Sequence, residues 1–69
     1  MKENVYKKIE ITGTSGTSLE DAINNAIAKA SETVRNMRWF EMTEIRGRID
    51  GVETIQWQVT IKIGFTLED

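Results

Sequence analysis

Apolar and polar residues alternate along most of this chain, and one central stretch instead repeats its apolar residues at helical spacing. From Val5 to Thr12, the residues Val5, Ile9 and Ile11 alternate with Tyr6, Lys8, Glu10 and Thr12, and only Lys7 breaks the apolar row. That alternation predicts a strand with one buried and one wet face. The cluster Gly13-Thr14-Ser15-Gly16-Thr17-Ser18 is rich in turn formers and predicts that the strand stops there. Thr17 followed by Glu20 fits a capping box, and Glu20 with Asp21 suits the positive end of a helix, so a helix is expected to begin near Ser18. Leu19, Ala22, Ile23, Ala26, Ile27, Ala30, Val34 and Met37 then draw a single apolar stripe, with Arg35 in the expected last turn and Asn36 as the stop.

A second strand is expected from about Arg38. Its alternation slips, because Phe40 and Met42 share one parity whereas Ile45, Gly47 and Ile49 share the other, which predicts a bulge near Thr43 or Glu44. Asp50-Gly51 predicts a tight turn. In the third strand Ile55, Trp57, Val59, Ile61, Ile63, Phe65 and Leu67 fall on one parity with Glu53, and Thr54, Gln56, Gln58, Thr60, Lys62 and Thr66 on the other. The expected class is α+β: strand-helix-strand-strand, a three-stranded antiparallel sheet packed on one helix, in a single domain over residues 1–69.

This pattern sends Phe40 and Met42 toward the helix, and Trp39 and Glu41 to the opposite face, which also displays Gln56 and Gln58. In a two-layer fold that second face is bare. An indole there points to a subunit interface or to a platform for a flat ligand, and the residues alone leave both open.

Size bears on the choice. At 69 residues the chain is in the range where a single core rarely supplies more than about 5 kcal/mol, and it has neither Cys nor His for disulfides or zinc. Oligomerisation is the remaining common route to stability. The net charge of -2 argues against nucleic acid as a partner, although Arg35, Arg38, Arg46 and Arg48 could gather positive charge locally. No apolar run is long enough to span a bilayer, and the start of the chain lacks the apolar run of a secretory signal, so a cytoplasmic protein is expected. The absence of cysteine fits any compartment.

For catalysis the chain offers carboxylates, lysines and hydroxyls only. Glu41 and Glu44 could share a face across the expected bulge, but no third group to orient them is apparent, so an enzyme is not expected. The Gly13 to Ser18 loop has the composition of a phosphate cradle, yet it lacks the Gly-Lys-Ser/Thr ending, and a capped strand-to-helix turn needs the same residue types. Trp39 with Gln58 is the more specific pair. Stacking a heterocycle on an indole is worth about 1–3 kcal/mol, and a planar amide can cover the ring or bond its edge.

The run Val5-Tyr6-Lys7-Lys8-Ile9-Glu10-Ile11-Thr12-Gly13-Thr14-Ser15, then Trp39-Phe40-Glu41, Glu44-Ile45-Arg46-Gly47, Gln58-Val59-Thr60, Gly64-Phe65 and Leu67-Glu68, closely resembles the dodecins, in order and over nearly the whole chain. That family comprises small flavin-binding proteins of strand-helix-strand-strand fold, assembled as hollow twelve-subunit shells that store or sequester flavins.

The resemblance implies a non-catalytic flavoprotein: a homododecamer holding FMN or a relative (riboflavin, FAD) at subunit interfaces. It implies that Trp39 stacks on the isoalloxazine ring, that Gln58 contacts the flavin from the other side, and that Arg46 and Glu44 lie near the ligand. It also raises coenzyme A as a second ligand, for which the residues give no independent signal. Bacterial members often carry Arg directly after the Gly-Phe pair, where this chain has Thr66, so the resemblance does not extend to a phosphate contact at that position. The rival expectations are a structural oligomeric module that buries Trp39 without ligand, and an enzyme that turns over flavin.

Overall fold

The computed structural model describes residues 3–67, so Glu68 of the closing motif lies outside it. The chain runs β1 (Tyr6–Ser15), α1 (Leu19–Ala30), β2 (Met37–Asp50) and β3 (Glu53–Thr66). The sheet order is β1-β3-β2, and both outer strands are antiparallel to β3. The α+β class and element order are those expected from the patterning.

Several boundaries differ from expectation, each for a local reason. Gly13, Thr14 and Ser15 continue β1 instead of ending it, pairing with Val59, Gln58 and Trp57. The helix is capped by Ser18, whose hydroxyl accepts from the Asp21 backbone N–H at 3.0 Å, and not by a Thr17–Glu20 box. It also ends at Ala30, well before Asn36. Ser31 Oγ donates to the Ala28 carbonyl, and the Glu32 and Thr33 amides turn back to Lys29 and Ala30. Short hydroxyl side chains compete with the helical ladder in this way. Val34 and Arg35 therefore lie in the connection, Asn36 takes a left-handed φ of 63°, and Met37 opens β2.

The expected bulge is present, with the register shifting between Met42 and Glu44 so that Thr43 is the extra residue. Further shifts lie between Met37 and Trp39 and between Arg48 and Ile49. Gly51 and Val52 make the hairpin turn, with φ 64° at Gly51.

The core is thin. Ala22, Ala26 and Ala30, one per helical turn, lie against Val59, Ile61 and Ile63 of the central strand, with Ile9, Ile11, Leu19, Ile23, Ile27, Met37 and Trp57 around them. Small residues let the helix sit close to the sheet. At Gly13 the approach is close enough that a Cβ would collide with the Ala22 carbonyl oxygen and lie 2.7 Å from the Ala26 Cβ.

The helix packs on β1 and β3 and does not reach β2. Phe40 and Met42 do point to the helix side, paired with Ile63 and Ile61, but the helix does not cover them fully. Phe40, Met42 and Ile45 are 45%, 48% and 47% exposed. Beyond the end of β1 the β2–β3 hairpin runs on alone with Ile49, Val52 and Ile55 exposed. The protomer measures 56 × 20 × 13 Å, and its radius of gyration is 14.4 Å, against about 11 Å for a compact chain of this length. Its accessible surface of 5290 Å² exceeds the roughly 4,400 Å² usual for a monomer of its mass.

Candidate functional site

The face of the sheet away from the helix carries Tyr6, Lys8, Glu10 and Thr12 from β1, Gln56, Gln58, Thr60, Lys62, Gly64 and Thr66 from β3, and Trp39, Glu41, Glu44, Arg46 and Arg48 from β2, as the registers require. Trp39 is on this open face, as expected. It pairs with Gly64, and its indole lies over that glycine in the space a side chain there would fill. The Tyr6 ring meets it edge-on, with centroids 5.0 Å apart and planes at 76°. Trp39 as a whole remains 38% exposed.

Charged side chains border the ring. Lys8 reaches across the sheet to donate to Glu41 Oε1 at 2.6 Å. The hydrogen bond from Lys8 and then its positive charge hold the Glu41 carboxyl below the ordinary glutamate value, with smaller help from Trp39 and Lys62. On the other side, Arg38 Nε donates to Thr66 Oγ1 at 3.1 Å.

Gln58 is on the same face but elsewhere. It lies opposite Arg46 and Thr14, and its amide donates to Gln56 Oε1 at 2.9 Å, which leaves its own carbonyl oxygen free. Glu44 pairs with Thr60, one step along. Gln58 and the Trp39 partner Gly64 are six positions apart on β3, a separation of about 20 Å along an extended strand. One protomer therefore brings Gln58, Arg46 and Glu44 together, and separately Trp39 with Tyr6, Lys8, Glu41 and Arg38. It does not bring Trp39 to Gln58. No single tricyclic ring bridges that span, so a ligand touching both must take them from different copies of the chain.

Sequence reasoning missed the surroundings of Trp39. Tyr6 and Lys8 share the open-face parity of the first strand. Arg38 was detectable as a second slip in alternation between the apolar Met37 and Phe40, concealed because Met37 also continues the helical stripe.

The Gly13 to Ser18 connection is occupied by its own contacts. Ser15 Oγ accepts from the Thr17 and Ser18 amides and donates to Asp21 Oδ2, and Asn25 donates to the Thr14 carbonyl. With those amides used and a carboxylate at the helix start, the loop is a structural cap and not a phosphate cradle. Among the described residues no three metal-ligating side chains converge, and no helix is long and apolar enough to cross a membrane.

The Dodecin family model matches residues 5–68. The chain is 48% identical over 65 residues to the Dodecin of Thermus thermophilus, covering 94% of each. It is 31% identical to the Calcium dodecin of Mycobacterium tuberculosis, over 93% of this chain and 90% of that one. The solved dodecin of Streptomyces coelicolor superposes with a TM-score of 0.93 at 40% identity, covering 100% of this chain and 99% of that chain. With a match over nearly its whole length and the same fold, the chain belongs to the dodecin family.

Proposed function

We propose that the protein is a non-catalytic flavin binder that stores or sequesters FMN or a related flavin in a homododecameric shell, with the ring stacked on Trp39 where subunits meet. The observation that carries this reading is the part-exposed indole on the sheet face away from the helix, lying over Gly64 with the Tyr6 ring edge-on beside it. A flat heterocycle gains about 1–3 kcal/mol on such a ring. The second half of the pocket, Gln58 with Arg46 and Glu44, comes from a neighbouring copy. Gln58, whose carbonyl is an acceptor, and Arg46, whose guanidinium is a donor fork, are the residues that would hold the polar edge of the ring.

Assembly is supported by the apolar surface the protomer leaves open. Where the helix stops short of β2, a groove of about 260 Å³ is lined by Ile27, Met37, Arg38, Trp39, Phe40 and Ile63, and farther along β2 Met42, Ile45 and Ile49 are also exposed. In this reading Trp39 also quenches excited flavin. A bound flavin would supply the excited ring, and the Trp39 indole would serve as the reversible electron donor beside it. Glu41 is tied to Lys8, whose hydrogen bond and charge hold its carboxyl below the ordinary value and make it a weaker base.

The test is a fluorescence titration of FMN with the assembled protein. Emission should fall on binding to wild type and stay unchanged with Trp39→Ala, while both proteins elute as the same large particle. A colourless wild-type assembly that leaves flavin emission untouched would leave only the structural module. Oxidation or reduction of a co-substrate at a turnover rate would show an enzyme instead.

A further inference from the structure

We infer that Arg38 is the phosphate-reading residue of the flavin site, so that the guest on Trp39 is a flavin bearing a phosphate; this rests on the flavin reading above. Arg38 is the extra residue of the bulge between Met37 and Trp39, so it has no partner of its own in the ladder and sits directly beside the stacking platform. Its Nε is fixed on Thr66 Oγ1 at 3.1 Å, and Thr66 is itself buried, at 7% exposure. Holding the guanidinium by Nε settles the plane of the fork. Both terminal nitrogens remain available for the paired hydrogen bonds that a phosphate accepts.

The placement matches the ligand's shape. A ring stacked over Trp39 hangs its ribityl chain off one side, and the phosphate ends that chain. Of the charges bordering the indole, Lys8 is already committed to Glu41, and Lys62 stands beside the same carboxylate. Arg38 is on the opposite side of the ring, held by a neutral hydroxyl, and among the described residues it forms no ion pair. Position 66 itself carries only a hydroxyl, and the neighbouring strand brings the Arg38 guanidinium to it. Thr66 acts as a positioning residue, and the bulge turns Arg38 toward it.

The experiment compares dissociation constants for FMN and riboflavin, measured by fluorescence quenching on assembled wild type, Arg38→Gln, Arg38→Lys and Thr66→Val. Wild type should favour FMN. Arg38→Gln should weaken FMN by about tenfold or more, as expected for a charged hydrogen-bond pair, and leave riboflavin unchanged. Arg38→Lys keeps the charge without the fork and should fall between. Thr66→Val should weaken FMN by a smaller factor, and added salt should erode the wild-type preference. Equal losses for both flavins in Arg38→Gln, or no loss of FMN, would overturn the assignment while the flavin site stands. Failure of wild type to bind either flavin would overturn the flavin reading itself, and this assignment with it.

Discussion

Trp39 lies over Gly64 so closely that the two positions compete for one volume: a Cβ at residue 64 would overlap Cζ2, Cε2 and Cη2 of the indole. The obstacle is the far end of a side chain, which can swing away. Gly64→Ala should therefore unseat the indole at modest cost, on the order of 1 kcal/mol. The expected outcome is a red-shifted tryptophan emission and weakened flavin quenching in a protein that still folds. An unchanged spectrum would show that the ring does not depend on that glycine.

Gly13 presents the opposite case, because the group in the way is the Ala22 backbone carbonyl. Neither helix nor strand can rotate out of that contact. Gly13→Ala should lower stability by on the order of 3 kcal/mol, seen as a large drop in the chemical-denaturation midpoint, since overpacking here must separate helix from sheet.

The distance between Trp39 and Gln58 gives a test by complementation. Shells of Trp39→Ala alone and of Gln58→Ala alone should each bind flavin poorly. Refolding the two variants together should regenerate some sites in which one copy supplies the indole and another the amide. Recovery of tight quenching in the mixture is the expected result. No recovery, with mixed particles confirmed by mass, would place both contacts on one chain.

Phe40 is expected to matter for assembly more than for the protomer's own core, because the helix leaves β2 uncovered. Phe40→Asp should shift the particle toward small species in size-exclusion chromatography while leaving the circular dichroism of the sheet recognisable. A full-sized particle would show that this stripe is not an interface.

The Lys8–Glu41 pair sets a pH dependence. The folded-state Glu41 value lies below the ordinary 4.5, so the unfolded chain binds more protons across that window. The pair's contribution is present above pH 4.5 and is lost as pH falls below that value through the depressed one. The difference in stability between wild type and Glu41→Gln should accordingly shrink on acidification below that point. Both groups are solvent-exposed, so the effect is small at neutral pH.

Much of this molecule was legible in its sequence, because period-two patterning is unambiguous where one face meets a core. The two hairpin strands show it: Val59, Ile61 and Ile63 fall on the buried side of β3, and Trp39 of β2 on the open one, as their parity predicts. The Thr43 bulge was visible as a slip in the same pattern. The helix end was not, because Val34 and Met37 continue the apolar spacing by coincidence while Ser31 and the turn that follows it end the helix at Ala30 through side-chain and backbone hydrogen bonds that periodicity does not register. The separation of Trp39 from Gln58 was hidden for a different reason. Parity assigns a residue to a face and is silent on distance along it, which only the register with β3 reveals.

That register has a consequence for how the protein responds to its own abundance. For the guest proposed above, which would need both the indole and the amide, neither half on a lone chain would suffice, so capture should rise with protein concentration more steeply than one-to-one binding would. Such a guest would in turn favour the associated state by mass action, holding neighbours together for as long as it stays bound.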